Sequence, residues 1–280
     1  MSPYLLYGMR GKWKVPITEI GILGPLRVDF SNTGHALSGM KLRSILAVLA
    51  LRIGSEVRRD ELIEELDLMR TTSDAVNAVH AHVARLRRWF QRHGGDADAL
   101  ETVDSGYRLN IDREAVDAHR FVSLVKRGLS LTPDAPSVVA TILEDALSLW
   151  RGDPLADAME GPLAAEAVDE LRRWRTAARE TLIDSWLSLD SNQKVILNAG
   201  RFTTDDPLNE PMWARHIVAL RRMGRHAEAI DVYNRAERVL SRELGIRPGV
   251  ELRAVFDSST RSVPVPRDRR HESTAIGVGL

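Results

Sequence analysis

Between Ser73 and Arg92 the chain carries side chains suited to gripping a flat, anionic, acceptor-rich partner. At the helical step of about 100° per residue, Val76, Val79, Val83, Leu86 and Phe90 fall in one narrow arc. The opposite arc carries Asn77, Ala81, Ala84, Arg85, Arg88 and Arg92, with His80 and Arg87 on its flank. Small side chains near the start let a helix approach base edges closely. Arginines towards the end offer bidentate donors to guanine or ion pairs to phosphate. Ser73 or Asp74 supplies an N-cap. The chemistry implied is recognition, with no bond made or broken. Any one of these arginines alone reads as a solvated surface charge, so the surrounding elements must supply the rest of the case.

Ile20–Leu23 and Leu26–Phe30 are short β-prone runs joined at Gly24-Pro25, and Ser31–Gly39 reads as a loop. Lys41–Arg52 is helical, with Leu42, Ile45, Leu46 and Leu49 on one face and Gly54 closing it. Arg59–Leu68 is a second amphipathic helix, capped near Arg58-Arg59-Asp60. After the third helix comes a polar loop, His93–Asp98. The runs Glu101–Val103 and Tyr107–Asn110 then flank Asp104-Ser105-Gly106, a hairpin signal. Strands, two helices, a basic helix and a hairpin make a winged helix-turn-helix, whose third helix enters the major groove. Arg108 lies in the wing. Lys41 and Arg43 open the first helix, where the positive helix end favours phosphate.

From Asp117 the β signal vanishes. Helical patterns run at 117–130, 137–150, 162–189, 194–200, 210–223, 226–243 and 249–260, with Gly and Pro at the joints. In residues 209–249, Trp213 opens one amphipathic run, Gly224 breaks it, and Ala229, Tyr233 and Ala236 follow in a second. Small residues at that spacing let two antiparallel helices approach, with the aromatic filling the gap between them, as in tetratricopeptide repeats. Gly245 and Pro248 stop the second helix. An ordinary helical hairpin is the alternative this piece leaves open. Arg172, Arg173, Arg175 and Arg179 could line the groove of such an array. The six tryptophans read as core anchors.

A length of 280 residues allows about two domains. Lys+Arg and Asp+Glu are equal at 39 each, so the whole-chain field favours no partner and a nucleic-acid case rests on a local patch. No cysteine is present, which excludes disulfides and thiolate metal sites. No secretory signal or membrane span is legible, so a cytoplasmic, nucleoid-associated protein is expected. Residues 1–18 match no pattern, and 261–280 read as a disordered tail. His80 and His82, two apart on a helix, cannot chelate together. Neither a nucleophile elbow nor a phosphate-binding Gly-Lys-Ser/Thr loop occurs. No catalytic residue, metal site or cofactor is expected, and the chain reads as a non-enzyme.

Ile22–Val28, Lys41-Leu42-Arg43, Val83–Arg88, Gly106–Leu109, Ala146–Leu155 and the Gly224–Pro248 block follow one another along the chain. In these stretches and their order the chain resembles the SARP family, the Streptomyces antibiotic regulatory proteins. The resemblance implies a mainly α protein. An OmpR-type winged helix at 19–112 precedes an all-α, tetratricopeptide-like bacterial transcriptional activator domain at 113–260, with a tail at 261–280. It further implies a transcriptional activator of antibiotic or other secondary-metabolite biosynthesis. Such a protein binds promoter direct repeats as a homodimer on double-stranded DNA and recruits RNA polymerase and its sigma factor. The DNA-contacting set is Lys41, Arg43, Asn77, His80, Ala81, Ala84, Arg85, Arg87, Arg88 and Arg108. The family usually has an amide where this chain has His80, Ser at Ala84 and Thr at Ala78. Asp67-Leu68 replaces the usual Trp-Gly, and Met69–Thr72 a Pro-rich loop. These departures imply an altered sequence preference or weaker DNA binding. The alternative is a protein-interaction scaffold or antagonist whose winged helix no longer binds DNA specifically.

Overall fold

The computed structural model describes residues 17–31, 33–158 and 161–260, the last three of these by backbone alone. The chain divides into two compact units between Ser185 and Trp186. Trp13, His271 and the predicted tail at 261–280 lie outside the described residues.

The first unit opens with an antiparallel meander of β1 (Ile17–Gly21), β2 (Arg27–Phe30) and β3 (Thr33–His35). The register pairs Ile20 with Val28 and Val28 with His35. β1 begins ahead of the predicted boundary at residue 19, and β3 occupies a predicted loop. A three-residue edge strand has too few positions for an alternation to be read. Helix α1 (Met40–Leu51) buries Ile45, Leu46 and Leu49 and leaves Leu42 half-buried.

Helix α2 (Arg59–Glu65) follows the two-residue strand β4 (Val57–Arg58). The Glu61 carboxylate accepts the Arg58 backbone N–H at 2.8 Å, which places the cap at the predicted Arg58-Arg59-Asp60. The helix nevertheless stops short of its predicted end at Leu68. Asp67 takes a left-handed φ of 47°, and Leu68–Thr71 form a separate turn, α3. Burial of Leu68 to 1% exposure explains the break, because a continuous helix would carry this side chain off the core.

Helix α4 (Ala75–Arg92) is capped by Asp74, whose carboxylate accepts the Asn77 backbone N–H at 3.0 Å. It packs on α1 and α2 through Ala75, Val79, Val83, Leu86, Trp89 and Phe90. Phe30 lies against Trp89 and Phe90, with ring centroids 5.7 and 6.1 Å away. Val76, predicted in the apolar arc, is 46% exposed because it sits at the arc's edge on the first turn. The wing is β5 (Leu100–Thr102) and β6 (Gly106–Leu109), in a sheet of order β4-β6-β5. A Cβ on Gly106 would lie 1.9 Å from the Val57 carbonyl oxygen, so only glycine fits there.

Helices α5 (Asp117–Ser130) and α6 (Pro136–Ser148) follow, and α7 spans Pro162–Ser188. Three carboxylates tie this all-helical stretch to the winged helix within the first unit. Asp117 accepts the backbone N–H groups of Ile22 and Leu23 at 2.8 and 3.1 Å and meets the Arg151 guanidinium at 3.4 Å. Asp157 accepts the Leu26 N–H at 2.8 Å. Glu65 accepts the Leu163 and Ala164 N–H groups at 2.8 and 3.2 Å, satisfying orphan donors at the start of α7. Asp117 and Glu65 are each 1% exposed, and burial pushes both carboxyls above the usual carboxylate range. The Arg151 N–H donates to the Leu23 carbonyl at 2.7 Å and its guanidinium to that of Pro25 at 2.9 Å. The Leu155 N–H reaches the Ile22 and Gly24 carbonyls, both at 3.1 Å. Two of the stretches that carry the family resemblance, Ile22–Val28 and Ala146–Leu155, therefore hold each other.

The predicted Arg groove on α7 is not one continuous basic stripe. Arg179 is buried and Arg175 lies 4.3 Å from the Trp150 ring centroid, while Arg172, paired with Asp169 at 3.5 Å, and Arg173 are exposed. A half-buried cation such as Arg175 gains from a ring face.

The second unit holds α8 (Asn192–Asp205), α9 (Glu210–Arg222), α10 (His226–Leu244) and α11 (Val250–Thr260). α8 runs past its predicted end at residue 200 because Phe202 and Thr203 are buried, with the Thr203 hydroxyl donating to the Ala199 carbonyl at 2.9 Å. α9 packs against α8, α10 and α11. Ala229 and Ala236 are buried as the repeat pattern requires. Tyr233 instead stacks on Phe256 of α11, centroids 4.0 Å apart, because its side chain leaves the α9 side of α10. Gly245, at a φ of 68°, closes α10 in the left-handed region. His216 is buried in α9, and desolvation lowers its pKa to about 4. Trp186 and Trp213 are core residues, as is Trp89 in the first unit, while Trp150 and Trp174 are half-buried beneath cations. Among the described residues, no helix is long and apolar enough to cross a membrane.

Candidate nucleic-acid interface

The apolar arc of α4 is consumed by the core, and this fixes which residues face outward. Asn77, His80, Ala81, Ala84, Arg85, Arg88, Gln91 and Arg92 are all exposed along one side of the helix. The first turns present small and polar groups. The last turns present cations, and Arg85, Arg88, Gln91 and Arg92 line an open depression of about 580 Å³.

Among the described residues no hydrogen bond or ion pair holds Arg85. Arg88 leans on its own helix, with Nε 3.3 Å from the Ala84 carbonyl. The Asn77 side-chain amide donates to Asp74 at 2.5 Å, so its carbonyl oxygen and its second N–H are left for a partner. His80 is held from one side, its Nδ1 lying 2.6 Å from the Tyr107 hydroxyl.

The remaining predicted residues lie elsewhere. Arg87 is half-buried and donates to the Leu100 carbonyl through Nε and Nη2, at 2.9 and 2.6 Å, and to the Thr102 hydroxyl at 2.8 Å. It fastens α4 to the first wing strand. Arg43 is likewise half-buried, its Nε 2.6 Å from the Asp157 carbonyl oxygen and 3.2 Å from its carboxylate, and its Nη1 3.0 Å from the Leu37 carbonyl. Arg108 stands on β6 with its guanidinium 3.9 Å from Glu101. Lys41, half-buried at the start of α1, donates to the Thr71 hydroxyl at 3.2 Å. The structure thus gathers Asn77, His80, Ala81, Ala84, Arg85 and Arg88 on one face. It sets Arg43, Arg87 and Arg108 against protein acceptors.

The wing is tied down at its turn. Arg59 donates through Nη1 and Nη2 to the Asp104 carbonyl at 3.1 and 2.9 Å, and its backbone N–H reaches the Ser105 carbonyl at 3.0 Å. The Ser105 N–H and hydroxyl both donate to Glu56, at 3.0 and 2.6 Å. On the inner side of α4, burial lowers the pKa of His82, helped by the positive charges of Arg85 and Lys41. His82 is therefore neutral and adds no charge to the patch.

The sequence profile of the "Bacterial transcriptional activator domain" matches residues 116–258. That of "Transcriptional regulatory protein, C terminal" matches residues 37–109, which include α4 and the wing. The transcriptional regulator RedD of Streptomyces coelicolor is 35% identical over 241 residues, 84% of this chain and 68% of RedD. The regulatory protein DnrI of Streptomyces peucetius is 27% identical over 94% of this chain and 99% of its own length. This chain belongs to the SARP family of transcriptional regulators. The solved structure of Mycobacterium tuberculosis EmbR, in complex with a low-affinity phosphopeptide, superposes with a TM-score of 0.79 at 28% identity. It covers 88% of this chain and 66% of that one. The SARP fold expected from the sequence, a winged helix followed by an all-helical domain, is the fold observed. Its members here are named as regulators, and this chain is a regulator and not an enzyme.

In this SARP member two polar residues near the site are not singled out by the sequence, where Tyr107 reads as part of a hairpin and Arg59 as the start of a helix. Pairing across the β4-β6-β5 sheet brings Tyr107 to His80 of α4 and Arg59 to the wing turn, which no local spacing encodes. The available signal was a Tyr directly after an obligatory glycine, in a strand that otherwise ends in Arg and Leu.

Proposed function

We propose that the chain is a DNA-binding activator of a biosynthetic, secondary-metabolite gene cluster. Residues 19–112 bind promoter direct repeats and residues 113–260 contact RNA polymerase and its sigma factor. Helix α4 lies in the major groove with Asn77, His80, Ala81 and Ala84 towards base edges and Arg85 and Arg88 towards bases or phosphates. Two copies sit together on the DNA, one on each repeat. The observation that carries this reading is the exposure of that whole face of α4 while its other face is locked into a winged-helix core. RedD and DnrI, both named as regulators in Streptomyces, support the biosynthetic assignment.

The scaffold or antagonist reading draws on one observation. Arg43, Arg87 and Arg108 are engaged with protein atoms, which leaves fewer cations for phosphate than the sequence suggested. Fluorescence anisotropy separates the two readings. The full chain is titrated against the promoter upstream of its neighbouring biosynthetic genes and against a scrambled duplex, at two salt concentrations. The activator reading expects preference for the promoter, with affinity falling as salt rises. Equal affinity for both duplexes, or no binding at low salt, favours the scaffold.

A further inference from the structure

His80 is exposed on the outward face of α4, yet one of its two ring nitrogens is already occupied. The Tyr107 hydroxyl lies 2.6 Å from Nδ1, with the two rings edge to face at 77°. Which group donates follows from the chemistry of the pair. An unprotonated imidazole nitrogen is a far better acceptor than a phenolic oxygen, so the Tyr107 O–H donates and Nδ1 accepts. Burial raises the Tyr107 pKa, so the phenol keeps that proton. The wing that carries Tyr107 is itself fixed, with both Nη atoms of Arg59 donating to the Asp104 carbonyl.

We propose that Tyr107 is a positioning residue that clamps the His80 ring at Nδ1 and leaves Nε2 as the donor, so that α4 presents a fixed donor selecting a base acceptor (guanine N7 or O6, adenine N7 or thymine O4) in the major groove. This rests on the DNA-binding reading above. A flexible amide offers a donor or an acceptor by turning over, whereas a histidine clamped at Nδ1 offers only the donor. Adenine N6 and cytosine N4, both donors, are thereby disfavoured at that step.

The test has two arms. In the first, nitrogen-15 NMR of the free full-length chain at about pH 8 reads the His80 ring. Wild type is expected to show a protonated Nε2 and an unprotonated, hydrogen-bonded Nδ1, and Y107F is expected to lose the hydrogen-bond shift at Nδ1. A protonated Nδ1 in wild type, or a spectrum unchanged in Y107F, overturns the proposal without touching the DNA reading. In the second arm, a duplex selected by the protein from a randomised pool has its purines replaced singly by 7-deaza analogues or by 2-aminopurine, and its thymines by 5-methyl-2-pyrimidinone, which lacks O4. One replacement is expected to weaken wild type by about 3- to 10-fold, to cost H80A nothing, and to cost Y107F less than wild type. The same penalty in wild type and Y107F overturns the positioning role. Failure to select any duplex overturns the DNA reading and this inference together, whatever the tautomer.

Discussion

Two groups of charged residues in the first unit look alike in sequence and behave oppositely in the fold. Arg85, Arg88 and Arg92 stand on the exposed side of α4 and touch little beyond their own helix. Glu65 and Asp117 are buried, and each closes backbone N–H groups of a distant segment. The first group keeps its hydration and can exchange it for phosphate or base. The second has spent its hydrogen-bonding capacity inside, so it supports the frame that aims the first. The lesson is that charge alone does not mark function here; the availability of the charged atoms does.

The comparison breaks most visibly at Asp117. Asp117→Ala leaves the Ile22 and Leu23 N–H groups and Arg151 without their acceptor. Loss of one partner in a buried ionic network costs about 3–5 kcal/mol, to be read as a lower urea midpoint for the first unit. The sign with pH is also set. Burial raises Asp117 and Glu65, so the folded state holds those protons more tightly than the unfolded chain. Their contribution is fully present below the unfolded carboxylate range and is lost as pH rises through the raised values. Replacing both with the isosteric amides, Asp117→Asn and Glu65→Gln, is expected to flatten that fall, measured as the urea midpoint between acid and neutral pH.

His216 sharpens the contrast from the second unit, because there the buried group is a base. Its pKa is lowered to about 4 by burial, then by Arg235 and Arg225. Its contribution is present above the unfolded histidine value and is lost as pH falls towards 4. With an unfolded value of about 6.5, the loss at pH 5 is on the order of 2 kcal/mol. His216→Gln is expected to remove this acid sensitivity, followed by the thermal midpoint of the second unit across pH 5 to 7. Equal slopes for wild type and variant would show that His216 is not the group responsible.

The smallest effect in stability is the largest in function. Arg88→Ala is expected to leave the urea midpoint within about 0.5 kcal/mol of wild type, as an exposed surface change does. Its promoter affinity is expected to fall about tenfold, with the salt slope reduced by about one if the contact is to phosphate. Unchanged affinity together with an unchanged slope would count against α4 as the DNA-contacting helix.

Much of the frame is legible in the sequence. The helices from Asp117 onward lie close to where hydrophobic periodicity put them, because a helix buries a stripe that repeats along the sequence. The outward face of α4 followed from the same rule, as its apolar arc could only face the core. What escaped was short or non-local. β3 and β4 have three and two residues, and α3 exists because Leu68 must be buried.

By itself, then, the sequence determined the order of elements, the inward and outward sides of α4, and the stop at Gly245. Each depends on side chains within a few residues of one another. Only the tertiary structure decided what each basic residue does. It sent Arg87 to the Leu100 carbonyl and Arg43 to Asp157, left Arg85 outward, and set Tyr107 against His80. The physical reason is that a hydrogen bond depends on distance in space. Partners 13, 114 and 27 residues apart are brought within range only when the sheets and helices pack.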